Sequence, residues 1–346
     1  MTETKQFFQK VACFTDIHFG LKGDSNQHNT DCTNFISWFI EEANKFGAET
    51  CIFLGDWHHN RARISSKTMN VSLENIERLA KNFENFYFIT GNHDLFYRDN
   101  RNVNSIEFGR LIDNVTIVSE PIVEDDVAII PWILNDEWKD IKKLKSKYVF
   151  GHFELPGFLM NQMVKMPDQG TIHGDHFKYP EYVFSGHFHK RQIGTKIHYI
   201  GNAFPHDYND INDDERGMML LEWGGKPQYL EWSEAPNYRK LSLSQLLEEP
   251  EKWITKRSYV RVEMDVTPSF EDLAYIKEEI ASAFNPRELS FVSVVDDEII
   301  IDIDGNVSFE TVDSVVLNHL DSIESVNIDK ELLKQIYLGL DDDSSV

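Results

Sequence analysis

The chain has 346 residues, and its 34 basic and 58 acidic side chains leave a formal charge of −24, which excludes nucleic-acid binding through a generally basic surface. Three cysteines without C-x-x-C spacing exclude a disulfide framework and a structural zinc ribbon. No run reaches the ~18 apolar residues of a membrane span and the amino terminus has no signal-peptide core, so the expected location is the cytoplasm.

Taken in order, residues 10–15 predict a first strand that ends on Asp16-Ile17-His18. On an extended backbone, side chains two apart point the same way, so Asp16 and His18 are expected to face one metal. Residues 31–46 place Phe35, Ile36, Trp38, Phe39 and Ile40 at near-helical spacing and stop at Gly47, a helix with a glycine cap. The apolar run Cys51-Ile52-Phe53-Leu54 is a buried strand opening into Gly55-Asp56-Trp57-His58-His59, which completes a β-α-β unit. Open α/β sheets place their sites at such strand ends. A carboxylate can give one oxygen to each of two cations, the role assigned to Asp56; His58 is expected behind the site or exposed. A second helix is predicted over residues 66–82, with Met69, Leu73, Ile76 and Leu79 or Ala80 inward and Ser65 or Ser66 as its cap. Residues 86–90 form a third strand and end in Gly91-Asn92-His93-Asp94, a tight turn carrying an amide, an imidazole and a carboxylate.

Strands follow at residues 115–118 and 127–130. Lys139, Lys142, Lys143, Lys145 and Lys147 form the densest basic run, either a solvated helix face or a strip facing DNA. Residues 148–150 are a strand closing on Gly151-His152. Residues 156–178 read as a long loop at the mouth of the site, with His173 and His176 on its surface. A strand at 182–184 leads into Gly186-His187-Phe188-His189, and Pro205-His206-Asp207-Tyr208 is a polar turn placed along a substrate path. A hairpin of residues 218–222 and 228–232 closes a first domain, residues 1–235. Residues 236–258, with two prolines and many charges, are expected to be a linker. A small α+β domain over 259–327 is predicted from a strand at 259–266, a helix at 269–284, strands at 289–295 and 298–303 and a helix at 308–320. A last helix, 330–340, and an acidic tail make up residues 328–346. From Glu251 onward there are 22 acidic and 8 basic residues, a balance suited to steering a basic partner.

Five motifs therefore follow five apolar runs: Asp16-x-His18, Gly55-Asp56-x-x-His59, Gly91-Asn92-His93-Asp94, Gly151-His152 and Gly186-His187-x-His189. A sheet would bring them to one rim. The series resembles the calcineurin-like metallophosphoesterases over roughly residues 10–235, and within them the SbcD-type nuclease subunits of double-strand-break repair and phage recombination complexes. Asp56 is followed by Trp57-His58-His59 rather than the x-x-D-R-G of protein phosphatases, and the asparagine motif ends in Asp94 rather than glutamate.

The resemblance implies a β-sandwich flanked by helices with a small capping domain behind it. It implies two Mn²⁺ ions, with Mg²⁺ as the substitute: the first held by Asp16, His18, Asp56 and His189, the second by Asp56, Asn92, His152 and His187. It implies His93 as the acid for the leaving group, Asp94 orienting the His93 ring, and His59 on a phosphate oxygen. The implied activity is exo- or endonucleolytic cleavage of DNA in recombination, repair or replication. No G-x-x-x-x-G-K-[ST] occurs, so ATP dependence would come from a separate SMC-like, SbcC-type ATPase, and a homodimer is the implied assembly. The alternatives are a stand-alone phosphodiesterase acting on small phosphoesters or cyclic nucleotides, and a non-enzymatic scaffold that keeps the fold.

Overall fold

The computed structural model describes residues 5–160 and 164–293. The chain divides into two compact units, Met1–Tyr238 and Arg239–Val346. The first is α/β, with two six-stranded sheets. Sheet one contains β1 (Lys10–Phe14), β2 (Thr50–Phe53), β3 (Asn85–Ile89) and β4 (Val115–Val118), all parallel, and is extended beyond β1 by antiparallel β11 (Gly217–Glu222) and β12 (Gln228–Glu231). In sheet two, β6 (Val127–Ile130), β7 (Tyr148–His152), β8 (Tyr182–Gly186) and β10 (Ile197–Tyr199) run parallel between the antiparallel edges β5 (Ile122–Glu124) and β9 (Gln192–Ile193).

The sheets pack face to face. Val11, Cys13, Ile52, Leu54 and Ile89 of sheet one meet Val127, Ile129, Tyr148, Phe150 and Phe184 of sheet two in one apolar layer. Alternate residues of the same strands, Ala12, Phe14, Cys51 and Phe53, turn outward under helix α1 (Asn26–Phe46) and helix α2 (Ser66–Asn82). Strands buried on both faces read as unbroken apolar runs, which is why these were plain in the sequence. All three cysteines are buried.

Helix α1 begins five residues before the predicted start, where Ser25 caps it by accepting from the His28 amide, and ends on Gly47 at φ 79°. Helix α2 has the predicted bounds, with Ser65 as its cap, but a different inner face. Met69 is half-buried and Leu73 is exposed, while Thr68, Ser72 and Asn75 are buried beside Ile76, Leu79 and Ala80. The upper part of the helix covers a polar loop rather than the sheet. The basic run folds as a single helical turn, Trp138–Ile141, and Lys139 and Lys143 are paired with Asp136 and Asp140. That pairing argues against a DNA-facing strip.

Residues 236–258 are not an open linker. They form β13 (Asn237–Ser242), α3 (Leu243–Glu248) and a further turn, Pro250–Trp253. Leu241, Leu243, Leu246 and Ile254 join the core of the second unit with Val260 and Val262 of β14 (Ser258–Met264), Ile280 of α4 (Phe270–Phe284), and Leu289 and Phe291 of β15 (Glu288–Ser293). The apolar positions are irregularly spaced among charges, which hides them in composition. The expected strand at 298–303, the helices at 308–320 and 330–340 and the acidic tail lie outside the described residues.

Candidate metal centre

Every motif leaves the carboxyl end of its strand, and the first two of the loops that carry them are bonded to each other by backbone. Asp16 N donates to Gly55 O (2.9 Å), His18 N to Asp56 O (3.2 Å) and Phe19 N to Trp57 O (2.7 Å), so the first two loops run on as a pair beyond β1 and β2. The backbone there is coiled, not extended as expected: Asp16, His18, Asp56 and His187 have φ of 50°, 52°, 64° and 88°. Left-handed conformations at non-glycine residues are uncommon and are held only where the surroundings fix them. Glycines permit the close approach. A Cβ on Gly91 would stand 2.2 Å from Asp56 Oδ1, and one on Gly186 would stand 2.1 Å from Thr15 Oγ1 and 2.9 Å from Asp16 Oδ2.

The structure brings Asp16, His18, Asp56, Asn92, His152 and His187 together, with His59, His93 and His189 beside them. One donor atom from each of Asp16, His18 and Asp56 lies within 4.8 Å of the others. His18 Nε2 stands 3.9 Å from Asp16 Oδ1 and 3.8 Å from Asp56 Oδ2. Asp16 Oδ1 and both ring nitrogens of His18 are buried without a hydrogen-bond partner, a condition that costs about 1–3 kcal/mol per group. On the other side, His152 Nδ1 donates to Leu54 O (2.7 Å), which leaves Nε2 facing Asn92 Oδ1 at 3.1 Å and Asp56 Oδ2 at 3.5 Å. His187 Nε2 lies 3.3 Å from Glu154 Oε1, leaving Nδ1 3.0 Å from the same Asn92 oxygen. With both rings neutral these are acceptors facing acceptors, and the missing ingredient is positive charge. Burial opposes a charge on His152, yet the Asp56 carboxylate lifts its ring to about 9. Burial likewise opposes ionisation of Asp56, but His152, and after it His18, hold that carboxyl well below the ordinary range. A proton on His152 thus supplies charge that a cation would replace. Once that proton is released, the mixed imidazole and oxygen donors fit a divalent transition ion.

Asp94 does a different job from the expected one. Its carboxylate accepts from the amides of Gly91 and Asp56 (2.9 Å each), Trp57 (3.0 Å) and His58 (3.4 Å), so it clamps the two turns together; burial and the Asp56 carboxylate push it up to about 7 against those donors. The His93 ring is oriented instead by the His59 carbonyl, 2.8 Å from Nδ1, while its amide donates to Asp56 Oδ1 (2.8 Å). The His59 ring stacks on His93 at 5.5 Å, and burial and His93 press its pKa down.

His58 is fully buried behind the centre, between Ser105 Oγ (2.9 Å) and Ser72 Oγ (2.8 Å), and burial lowers it to about 3. Ser72 also accepts from Trp57 Nε1 (2.7 Å), and the Trp57 ring fills the space among Phe14, Phe19, Phe53 and Phe88. This is what the polar face of α2 supports.

Three residues at the centre escaped sequence reasoning. His28, at the start of α1, reaches the carbonyls of His18 (2.9 Å) and Ile17 (3.3 Å), and burial lowers it to about 4. Glu154 holds His187. His206, read as part of an open polar turn, is buried against His18, His189 and His28, with ring centroids 5.4, 5.1 and 5.4 Å away. His28 and His206 stand in no short motif after a strand, whereas Glu154 lies two residues past β7. His173 and His176 have other partners: His173 pairs with Asp168 and His176 stacks on Trp138.

The model of the calcineurin-like phosphoesterase family matches residues 9–191. Exonuclease subunit 1 of Enterobacteria phage T4 is 29% identical over 222 residues, covering 62% of this chain and 64% of that protein, so the chain spans less than two thirds of its relative's length. Among solved structures, a nuclease, MPE, of Pseudomonas putida has 19% identity over 54% of this chain and 66% of its own, with a TM-score of 0.30. YfcE, a phosphoesterase from E. coli, has 14% identity over 62% and 88%, with a TM-score of 0.31.

Proposed function

Because the chain belongs to the calcineurin-like phosphoesterase family, we propose that it is a nuclease that hydrolyses DNA phosphodiester bonds with two divalent cations, Mn²⁺ by preference. The observation that carries this reading is the convergence of five strand-end motifs into one set of acceptor atoms closed around Asp56. Asp16, His18, Asp56 and His189 would hold one cation, and Asp56, Asn92, His152 and His187 the other. Bound there, such ions supply charge neutralisation at the scissile phosphate and acidify a water.

The chain's own groups do the rest. His93 keeps Nδ1–H on the His59 carbonyl, so Nε2 is the nitrogen from which a proton passes to the leaving oxygen. His59, stacked on that ring, would contact a phosphate oxygen. Arg61 and Arg63 follow His59 on a turn, and among the described residues no carboxylate pairs with either. They offer local positive charge just after the His59 motif in a chain whose net charge is −24. Similarity to a protein named as an exonuclease subunit favours action within a complex. The partner in this reading is a separate SMC-like ATPase, the nuclease pairs as a homodimer, and the work is recombination, repair or replication.

The test is digestion of linear duplex DNA with Mn²⁺ beside hydrolysis of a chromogenic phosphodiester. Both substrates should be cleaved, with DNA cleavage falling steeply as salt rises. Hydrolysis of the small ester alone would replace the nuclease reading with a stand-alone phosphodiesterase.

A further inference from the structure

The geometry points to His206 as an additional protein ligand of the cation held by Asp16, His18, Asp56 and His189. This rests on the reading that the centre takes cations. His206 is 2% exposed, and neither ring nitrogen has a hydrogen-bond partner. Buried polar atoms in native proteins are nearly always satisfied, and an imidazole with both nitrogens bare is a doubly strong exception.

The ring has not drifted there. Its amide donates to Asp210 Oδ2 (2.8 Å) and its carbonyl accepts from Tyr238 Oη (2.6 Å). Asp210 is in turn fixed by Arg216 (3.2 Å), a guanidinium only 1% exposed that also bonds Asp213 at 2.7 Å. A buried ion-pair network therefore delivers His206 to this place. One ring nitrogen from each of His18, His189 and His206 lies within 4.8 Å of the other two. Donors about 2.1 Å from a shared ion stand no more than roughly 4.2 Å apart, so a slight contraction closes the set. No hydrogen bond joins the three rings, which argues against a role confined to orienting its neighbours.

Titration of the protein with Co²⁺, followed by calorimetry and by its visible absorption, tests the assignment without reference to catalysis. The wild-type chain should take up two ions. His206→Phe keeps a ring against Phe204 and removes both nitrogens; His206→Ala removes the ring. Both variants should lose at least ~10-fold in affinity at one site only, with a changed ligand-field spectrum for that ion and an unchanged second ion. A metal-free thermal melt of the Phe variant at the wild-type temperature shows that folding is not the cause. Two native affinities with an unaltered spectrum in the Phe variant overturn the proposal alone, as does weaker binding with an unaltered spectrum, which would make His206 a positioning residue. Failure of the wild-type chain to bind any Co²⁺ overturns the cation reading itself.

Discussion

On one side of Asp56 the donors stand apart, and on the other they have closed on one another. His18 Nε2 is 3.8 and 3.9 Å from the nearest carboxylate oxygens, and its ring nitrogens and Asp16 Oδ1 have no partner. Across the carboxylate, Asn92 Oδ1 is bracketed by His152 at 3.1 Å and His187 at 3.0 Å, and both rings are held from behind by Leu54 O and Glu154. Each half has two histidines and shares Asp56, with Asp16 completing the first and Asn92 the second. They differ in how the donors are partnered: unpartnered on the first side, and in shared contacts on the second. An ion entering the first half gains ligands that were satisfied by nothing, whereas one entering the second must displace existing contacts. The first half is therefore expected to fill at lower metal concentration.

Asp56→Asn breaks both halves at once, since it removes the one charge they share. DNA cleavage should fall beyond the ~10²–10⁴ that a positioned acid contributes, and bound Mn²⁺ by calorimetry should drop below two. Two ions bound with native affinity would disprove the shared role. Asn92→Ala strips only the closed half. One Mn²⁺ should bind as in the parent, while the weaker phase loses more than the ~10–100-fold typical of an outer partner; equal weakening of both phases would show that the halves are not separable. His93→Gln leaves both halves intact and should slow cleavage by roughly 10²–10⁴ with metal content unchanged. Loss of an ion in that variant would make His93 a ligand.

How much of this was legible differs along the same line. Gly55, Gly91 and Gly186 close apolar runs, the last two after a single buried hydroxyl residue (Thr90, Ser185), and stand just before a polar donor, a pattern that sequence displays because a parallel strand buried on both faces is mostly apolar until it ends. The open half depends on more than its motif. His28 comes from the first turn of a helix whose apolar periodicity starts only at Cys32, and His206 comes from a turn held by Arg216, 10 residues further on. Hydrophobic spacing chose Leu73 and Met69 for the inner face of α2, but the helix packs on the loop of Trp57 and His58, so Ser72 lies inward to receive both rings. Asp94 was found by its motif and misread in its task, because spacing reports that a carboxylate is present and not which amides surround it.

A control outside both halves sharpens the comparison by separating pH effects on folding from those on the centre. His198 in β10 is 4% exposed, bonded through Nδ1 to Tyr229 Oη (2.5 Å) and set against Tyr182 and Phe184. Burial presses its pKa below the ordinary 6.5. The folded chain therefore refuses a proton that the unfolded chain accepts, and as pH falls through the unfolded value the unfolded state binds more protons. The stability associated with neutral His198 is complete above that value and is lost on acidification. His198→Phe removes the titrating ring and should lower stability by ~1 kcal/mol at neutral pH through the lost Tyr229 contact. It should also make the decline in urea midpoint between about pH 7 and 5 shallower than in the parent, with both Mn²⁺ affinities unchanged at neutral pH. A decline as steep as the parent's would assign the acid sensitivity of the fold to the imidazoles of the centre instead.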